Sequence, residues 1–285
     1  MAKDTFLNRK ITLNLKGELL DLSRPCVMGI LNLTPDSFYS NSRISSVDRA
    51  LERVETCLKE GAAFIDIGAY SSRPGADDVS TGEELERMIP VVAAISKRFP
   101  EAKLSIDTFR AAVARESIEA GAHVINDISG GELDEQMFET AASLQVPYIL
   151  MHMKGNPQTM QEAPAYGNIS LEVVDYFEKK VNILKKLGLK DIILDPGFGF
   201  AKTIEHNYEL LNHMNNLDIF GLPVLAGFSR KSMIYKFLGI TPDEALNGTT
   251  VLNTIALQQG AGILRVHDVK AAVECIALFE KVQQR

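Results

Sequence analysis

The chain has 285 residues, 46% of them apolar, a formal net charge of −7 and no tryptophan. That length suits one α/β barrel, and the negative field disfavours nucleic acid and anionic lipid as partners. An anionic substrate must therefore be met by a local cluster of Arg, Lys and His. Cys26, Cys57 and Cys275 form an odd set without metal-ligand spacing and read as reduced thiols of a cytoplasmic protein. No run approaches the ~18 apolar residues of a membrane span, and Met1 to Lys10 carry no apolar stretch, so neither a transmembrane helix nor a signal peptide is expected.

Ile11, Leu13 and Leu15 alternate with polar residues, Lys16-Gly17 offers a turn, and Leu20 and Leu22 resume the alternation, which predicts a β-hairpin. The apolar run Cys26 to Leu31 is the first buried strand and ends at Asn32; an amphipathic helix follows from about Val47 to Glu60. Phe64 to Ile67 is the second strand, ending at Gly68 and the loop Tyr70 to Gly75. Thr81 and Glu84 have capping-box spacing for the next helix, and Pro90 should kink or break that helix near Ile89. Leu104 to Ile106 ends at Asp107, His123 to Ile125 at Asn126-Asp127, and Val146 to Leu150 at Met151-His152. Ile192 to Leu194 ends at Asp195 and the glycine-rich Pro196 to Phe200, before a helix near Ile204 to Asn216. Pro223 to Ala226 leads into Gly227-Phe-Ser-Arg-Lys-Ser232, a second capping box at Thr241 and Glu244 opens a helix to about Gln259, and Ile263 to Val266 runs into His267-Asp268.

Eight short buried strands, each followed by a helix, predict a (β/α)8 TIM barrel built from residues 1–285 as a single domain. Residues 1–25 supply the hairpin, expected to cover the barrel bottom. An open doubly wound sheet would need two edge strands with polar character, and none of the eight runs has it.

In such a barrel every strand delivers its C-terminal end to one mouth. Here those ends are Asn32; Ser71, Ser72 and Arg73; Asp107; Asn126 and Asp127; Met151 and His152; Asp195; Ser229, Arg230 and Lys231; and Arg265 with His267. They sort by charge. Asp107, Asp195 and Asn126 suit a heterocycle with adjacent N–H donors, and would stabilise positive charge developing on it. Arg73, Lys231, Arg265 and His267 suit phosphate, aided by the helix that opens at Ser229 to Ser232. Asn32, beside Arg265 and His267, is a neutral oxygen ligand able to help hold Mg2+ against a diphosphate. His152 reads as a loop histidine. There is no serine triad, zinc spacing or Walker loop. Residue type and spacing lead to an enzyme acting on a diphosphate ester of an N–H-rich ring, and stop there.

Six ordered motifs carry a resemblance: Gly29 to Phe38, Ser105-Ile-Asp-Thr108, Asn126 to Gly131, Leu194-Asp-Pro-Gly-Phe-Gly-Phe200, Gly227 to Ser232 and Arg265-Val-His-Asp268. Together they resemble the motif set of the dihydropteroate synthase family, along nearly the whole chain from Val27. The resemblance implies condensation of 6-hydroxymethyl-7,8-dihydropterin diphosphate with 4-aminobenzoate, by loss of diphosphate and then attack of the amine. It implies a pterin site of Asp107, Asn126, Met151, Asp195, Phe200 and Lys231, and a diphosphate site of Asn32, Arg265 and His267 with Mg2+ at Asn32. It implies an aminobenzoate site near Phe38, Ser72, Arg73, Pro74, Phe200 and Ser229. Asp107, Asp195, Lys231, Arg265 and His267 are the implied catalytic set, in a homodimer of the kind sulfonamides target. Ser72 stands where the family usually has threonine, Tyr70 where an acidic or amide residue is common, and Tyr39 to Arg43 replaces a Ser-Asp-Gly-Gly run. Two alternatives are a corrinoid-linked pterin methyltransferase and a non-catalytic pterin-binding paralogue.

Overall fold

Residues 12–33, 43–70, 79–155 and 165–283 are described by the structure, a computed structural model. The hairpin forms from β1 (Thr12–Leu15) and β2 (Glu18–Asp21), paired antiparallel. Lys16 and Gly17 both take positive φ in its turn, as a two-residue hairpin loop demands. The chain then alternates: β3 (Cys26–Asn32), α1 (Arg43–Lys59), β4 (Phe64–Gly68), α2 (Thr81–Arg98), β5 (Lys103–Asp107), α3 (Ala111–Glu119), β6 (Val124–Asp127) and α4 (Met137–Leu144). It continues with β7 (Tyr148–Met151), α5 (Ile169–Lys186), β8 (Ile192–Asp195), α6 (Ile204–Asn212), β9 (Leu225–Ala226), α7 (Ser232–Leu238), α8 (Leu246–Gln258), β10 (Ile263–Val266) and α9 (Val269–Gln283).

The parallel strands run β8-β7-β6-β5-β4-β3-β10-β9. A bridge between Leu194 and Val224, with Leu194 N donating to Pro223 O at 2.9 Å, brings β8 to the β9 side and makes the barrel. Closure removes the edges that an open sheet would expose.

Inward-facing positions recur every second residue, and they are layered. Met28, Phe64, Val124, Ile149, Ile193, Leu225 and Ile263 fill the bottom and pack with Leu13, Leu15 and Leu22 of the hairpin segment. The hairpin therefore covers the barrel bottom, as expected. Two residues further along, the inward positions turn polar: Asp66 on β4, Ser105 on β5, Asn126 on β6, Asp195 on β8 and Arg265 on β10. The apolar plug below leaves the functional layer one strand turn above it. Leu13 is fully buried in the plug. Leu13→Ala is expected to cost about 2–5 kcal/mol in urea unfolding while turnover per folded molecule stays unchanged.

Several local expectations shift. The capping box of α2 is Ser80 with Glu83, one residue earlier than Thr81 with Glu84. Glu84 is thereby released to the interior, where it is fully buried and accepts from Thr108 Oγ1 at 2.7 Å and from the Arg110 guanidinium. Helix α2 runs through Pro90 without a break; Pro90 faces solvent, while Met88, Val91, Val92 and Ile95 pack inward and hold the helix on the barrel. Helix α6 ends at Asn212 and gives way to a 3-10 segment, Met214–Phe220. The Thr241–Glu244 capping box is present, but it opens a single 3-10 turn ahead of α8. Among the described residues no helix is long and apolar enough to cross a membrane.

Candidate active site

The segment Asp195 to Lys202 closes β8 and forms one wall of the mouth. Asp195 is buried, and its Oδ1 accepts from Gly197 N at 2.8 Å. Burial raises its carboxyl above the ordinary range; Lys231, the Gly197 N–H, Arg265 and Lys202 oppose that rise. Two glycines let the wall fold this way. Gly197 has φ 69° and a Cβ there would lie 2.1 Å from His152 O, while Gly199 has φ 83° and a Cβ would press on Lys231 Cδ at 3.1 Å. Only glycine takes both conformations without strain.

Lys202, absent from the residues singled out in the sequence, holds the wall from behind. Its buried Nζ donates to Gly197 O (2.9 Å), Phe200 O (3.0 Å) and His152 O (3.3 Å), and lies 3.0 Å from His152 Nδ1. Burial lowers Lys202 to about 7 and, together with Lys202, lowers His152 to about 2. His152 is thus a neutral acceptor; it lies in the loop after β7, as expected, but is only 2% exposed. Met151 lies in a small apolar cluster with Ile128, Met153 and Ala201, against Phe109 and Phe200.

Lys231 reaches the same wall from the loop after β9. Its Nζ donates to Phe198 O and sits 4.8 Å from the centre of the Phe200 ring. Burial lowers its ammonium to about 8 against the pull of Asp195. Asp195, Phe200 and Lys231 therefore converge as expected.

Arg265 corrects the charge sorting. Its Nε donates to Asp66 Oδ2 and its Nη2 to Asp107 Oδ2, both at 2.6 Å. The same Asp66 oxygen accepts from Asn126 Nδ2 at 3.0 Å. Arg265 thus sits among the carboxylates rather than apart from them, because its long arm crosses the barrel interior and low dielectric draws it to the nearest anions. One guanidinium serves two carboxylates, the fully buried Asp66 and the half-buried Asp107, and desolvation pushes Asp107 up to about 7 in spite of Arg265. Asp66 went unnoticed in the sequence, although its place two residues after inward-facing Phe64 was a usable signal.

His267 and Ser229 form a second pair. Ser229 Oγ accepts from His267 N at 3.1 Å and lies 2.9 Å from His267 Nδ1. The two contacts tie the ring to the loop after β9 through one hydroxyl. Burial first, and Arg265 next, lower His267 to about 4, so the ring is neutral near pH 7. Arg230, in the left-handed region at φ 55°, turns away to pair with both oxygens of Asp268 at 3.0 Å and to bond the carbonyls of Pro242 and Asp243. It fastens two loops together. Asp127 is likewise structural: it accepts from Ser129 N and Oγ, Gly131 N and Tyr148 Oη.

Asn32 stands half-buried at the mouth end of β3, in register with Gly68. Among the described residues no group of three or more His, Cys, Asp or Glu could hold a metal ion, so Asn32 offers a single neutral oxygen. Phe38, Ser71, Ser72, Arg73 and Pro74 lie outside the described residues. At the root of that second loop, Tyr70 packs edge-on against Phe109 at 5.0 Å, and the Arg110 guanidinium lies over both rings. Arg110 also bonds Glu84 and Val79 O, so the base of the loop is tied to α2 and to β5.

Comparison with known proteins follows the same lines. Residues 28–267 match the family described as pterin binding enzyme. The dihydropteroate synthase of Escherichia coli K12 is 47% identical over 268 residues, which is 93% of this chain and 94% of that one. The crystal structure of the Yersinia pestis dihydropteroate synthase with a sulfonamide drug complex superposes with TM-score 0.89 at 45% identity, covering 96% of this chain and 100% of that one. The Xanthomonas albilineans dihydropteroate synthase with 4-aminobenzoic acid gives 0.90 at 37%, covering 96% and 99%. Motifs, barrel and relatives agree along almost the full length, and the chain belongs to the dihydropteroate synthase family of pterin-binding enzymes.

Proposed function

We propose that this chain, as one pterin-binding barrel domain, joins 6-hydroxymethyl-7,8-dihydropterin diphosphate to 4-aminobenzoate, yielding 7,8-dihydropteroate and diphosphate. One observation carries the reading: the carboxylates of Asp107 and Asp195 and the amide of Asn126 share a barrel mouth with Lys231, Arg265 and the His267–Ser229 pair. Asp195, Asn126 and Asp107 accept the ring N–H groups, with Met151, Phe200 and the Lys231 stem against its faces. Arg265, His267 and Asn32 take the diphosphate. The C–O bond to the diphosphate breaks with the electron pair leaving on oxygen. The cation left on the pterin methylene is stabilised by the two fixed carboxylates. The amine, held near Phe38, Ser72, Arg73, Pro74, Phe200 and Ser229, then forms the C–N bond and loses a proton. A methyltransferase would have no use for the anion-binding group.

Mg2+ fits this donor set in one way. It keeps several waters and takes phosphate oxygens, so a single protein ligand such as Asn32 suffices; when bound it would neutralise the leaving diphosphate. The test is formation of dihydropteroate and diphosphate with each substrate omitted in turn. Diphosphate release independent of the pterin substrate would sink the assignment.

The chain is further proposed to act as a cytoplasmic homodimer. Its three cysteines are free thiols, and α8 and α9 expose Val251 (51%), Leu278 (71%) and Val282 (74%) to solvent. Light scattering should give twice the 31.4 kDa of one chain, and Val251→Arg should shift the mass toward the monomer; a wild-type mass of one chain refutes the dimer.

A further inference from the structure

Asp66 is a fully buried carboxylate on a central strand that the reaction scheme leaves without a role. It lies two residues short of the mouth end of β4, fully buried in the polar layer and bonded there to Arg265 and Asn126, so it acts through those two groups. Its Oδ2 receives two donors, Arg265 Nε at 2.6 Å and Asn126 Nδ2 at 3.0 Å. Its Oδ1 has no hydrogen-bond partner among the described residues, so those two donors carry its compensation. Arg265 then has two unlike contacts: a deep one to Asp66, and an upper one from Nη2 to Asp107, whose side chain is 22% exposed at the strand end.

We propose that Asp66 is the positioning residue of the pterin diphosphate site, anchoring Arg265 at Nε so that Nη2 alone swings between Asp107 and an incoming diphosphate. The inference rests on the proposed reaction. In the free protein the guanidinium covers Asp107. A ring that offers N–H donors to Asp107 must displace Nη2, and the displaced N–H then needs a new acceptor, which a phosphate oxygen supplies. Conversely, a phosphate that draws Nη2 away uncovers Asp107 for the ring. The two halves of the substrate therefore bind cooperatively through one side chain pivoting on a fixed point, and linkage makes the effect reciprocal. Asp66 also fixes the Asn126 carboxamide: a carboxylate accepts only, so the amide turns Nδ2 toward it and keeps Oδ1 as the acceptor for a ring N–H.

Asp66→Asn removes the charge at nearly constant shape, and Asp66→Ser leaves a hydroxyl acceptor. The probes are 6-hydroxymethylpterin and inorganic diphosphate, measured by calorimetry separately and together. In the wild type, diphosphate should tighten the pterin by at least about fivefold. In Asp66→Asn that factor should fall to within twofold of unity, pterin should bind about tenfold more weakly, and KM for 4-aminobenzoate should stay within twofold.

The acidic limb of kcat/KM for the pterin diphosphate supplies a second readout. The charged groups facing Asp107 are Arg265 from β10, Asp66 from β4, Glu84 from α2 and Asp127 from β6, with Lys231 from the loop after β9. Removing Asp66 takes away one of the charges that raise Asp107 and leaves Arg265 to Asp107, so the limb should move to lower pH. Wild-type binding without coupling overturns the proposal, as does a folded Asp66→Asn with coupling and pH limb unchanged. If neither variant folds, Asp66 serves the fold alone and the proposal falls. Wild-type protein that forms no dihydropteroate overturns instead the reaction on which the inference rests.

Discussion

Asp195→Ala and Lys231→Ala are each expected to lower kcat by at least about 10³-fold, the loss typical of removing one preorganised electrostatic group from a dry site, while the barrel still folds cooperatively. The physical case is the mismatch between the two groups and their surroundings. Asp195 is buried, with its carboxyl raised, and Lys231 is held at about 8 by burial. Both are ionisable groups kept where an apolar residue would be easier to accommodate, the usual mark of a side chain retained for function. Their linkage signs differ. A raised carboxyl contributes stability below its unfolded pKa and loses it as pH rises, so at pH 8 wild-type Asp195 opposes folding. A lowered ammonium opposes folding at pH 7 and ceases to do so as pH rises toward its unfolded value. Each truncation also removes the first counter-charge of the other group, so some loss of stability at pH 8 is expected, and cooperative unfolding of both variants is the control. Loss of cooperative unfolding in both variants would show that the wall is a structural element first.

Strand ends were the legible part of this site. An apolar run that stops at a polar residue is visible in any strand, and Asn32, Asp107, Asn126, Asp195, Ser229, Lys231, Arg265 and His267 were found that way. The hairpin plug was legible for the same reason, since alternation of period two fixes which face is buried. What stayed hidden was depth. Asp66 lies mid-strand in Phe64-Ile-Asp-Ile, and its partner Arg265 is 199 residues away, so only closure of the barrel brings them together. Lys202 was hidden because four acceptors surround it only once the glycine turn has formed. The α2 cap was ambiguous in principle: Ser80–Glu83 and Thr81–Glu84 both satisfy the pattern, and burial of Glu84 on Thr108 and Arg110 decided between them.

Removing Arg265 should be the most damaging single change to both activity and stability, and its pH dependence distinguishes the cause. Arg265→Ala takes the counter-charge from the fully buried Asp66 and the half-buried Asp107, a situation that costs on the order of 3–5 kcal/mol. With the guanidinium gone, the folded-state pKa of Asp107 rises further above its unfolded value of about 3.9. Stability of that kind is present below the unfolded pKa and is lost as pH climbs through the folded one. Asp107 already stands near 7 with Arg265 in place, so the deficit of the variant should be small at pH 5 and large at pH 8. Urea unfolding at pH 5, 6.5 and 8 measures it directly; a deficit of equal size at all three would mean that lost packing, not stranded charge, is the cause. Arg265→Lys separates geometry from charge. It keeps the cation but cannot place two diverging N–H groups on two carboxylates at once, so it should recover most of the stability at pH 8 while turnover stays near that of the alanine variant. Those outcomes together would make Arg265 both the charge that lets two carboxylates lie inside the barrel and, as proposed, the fork that lets one of them be uncovered.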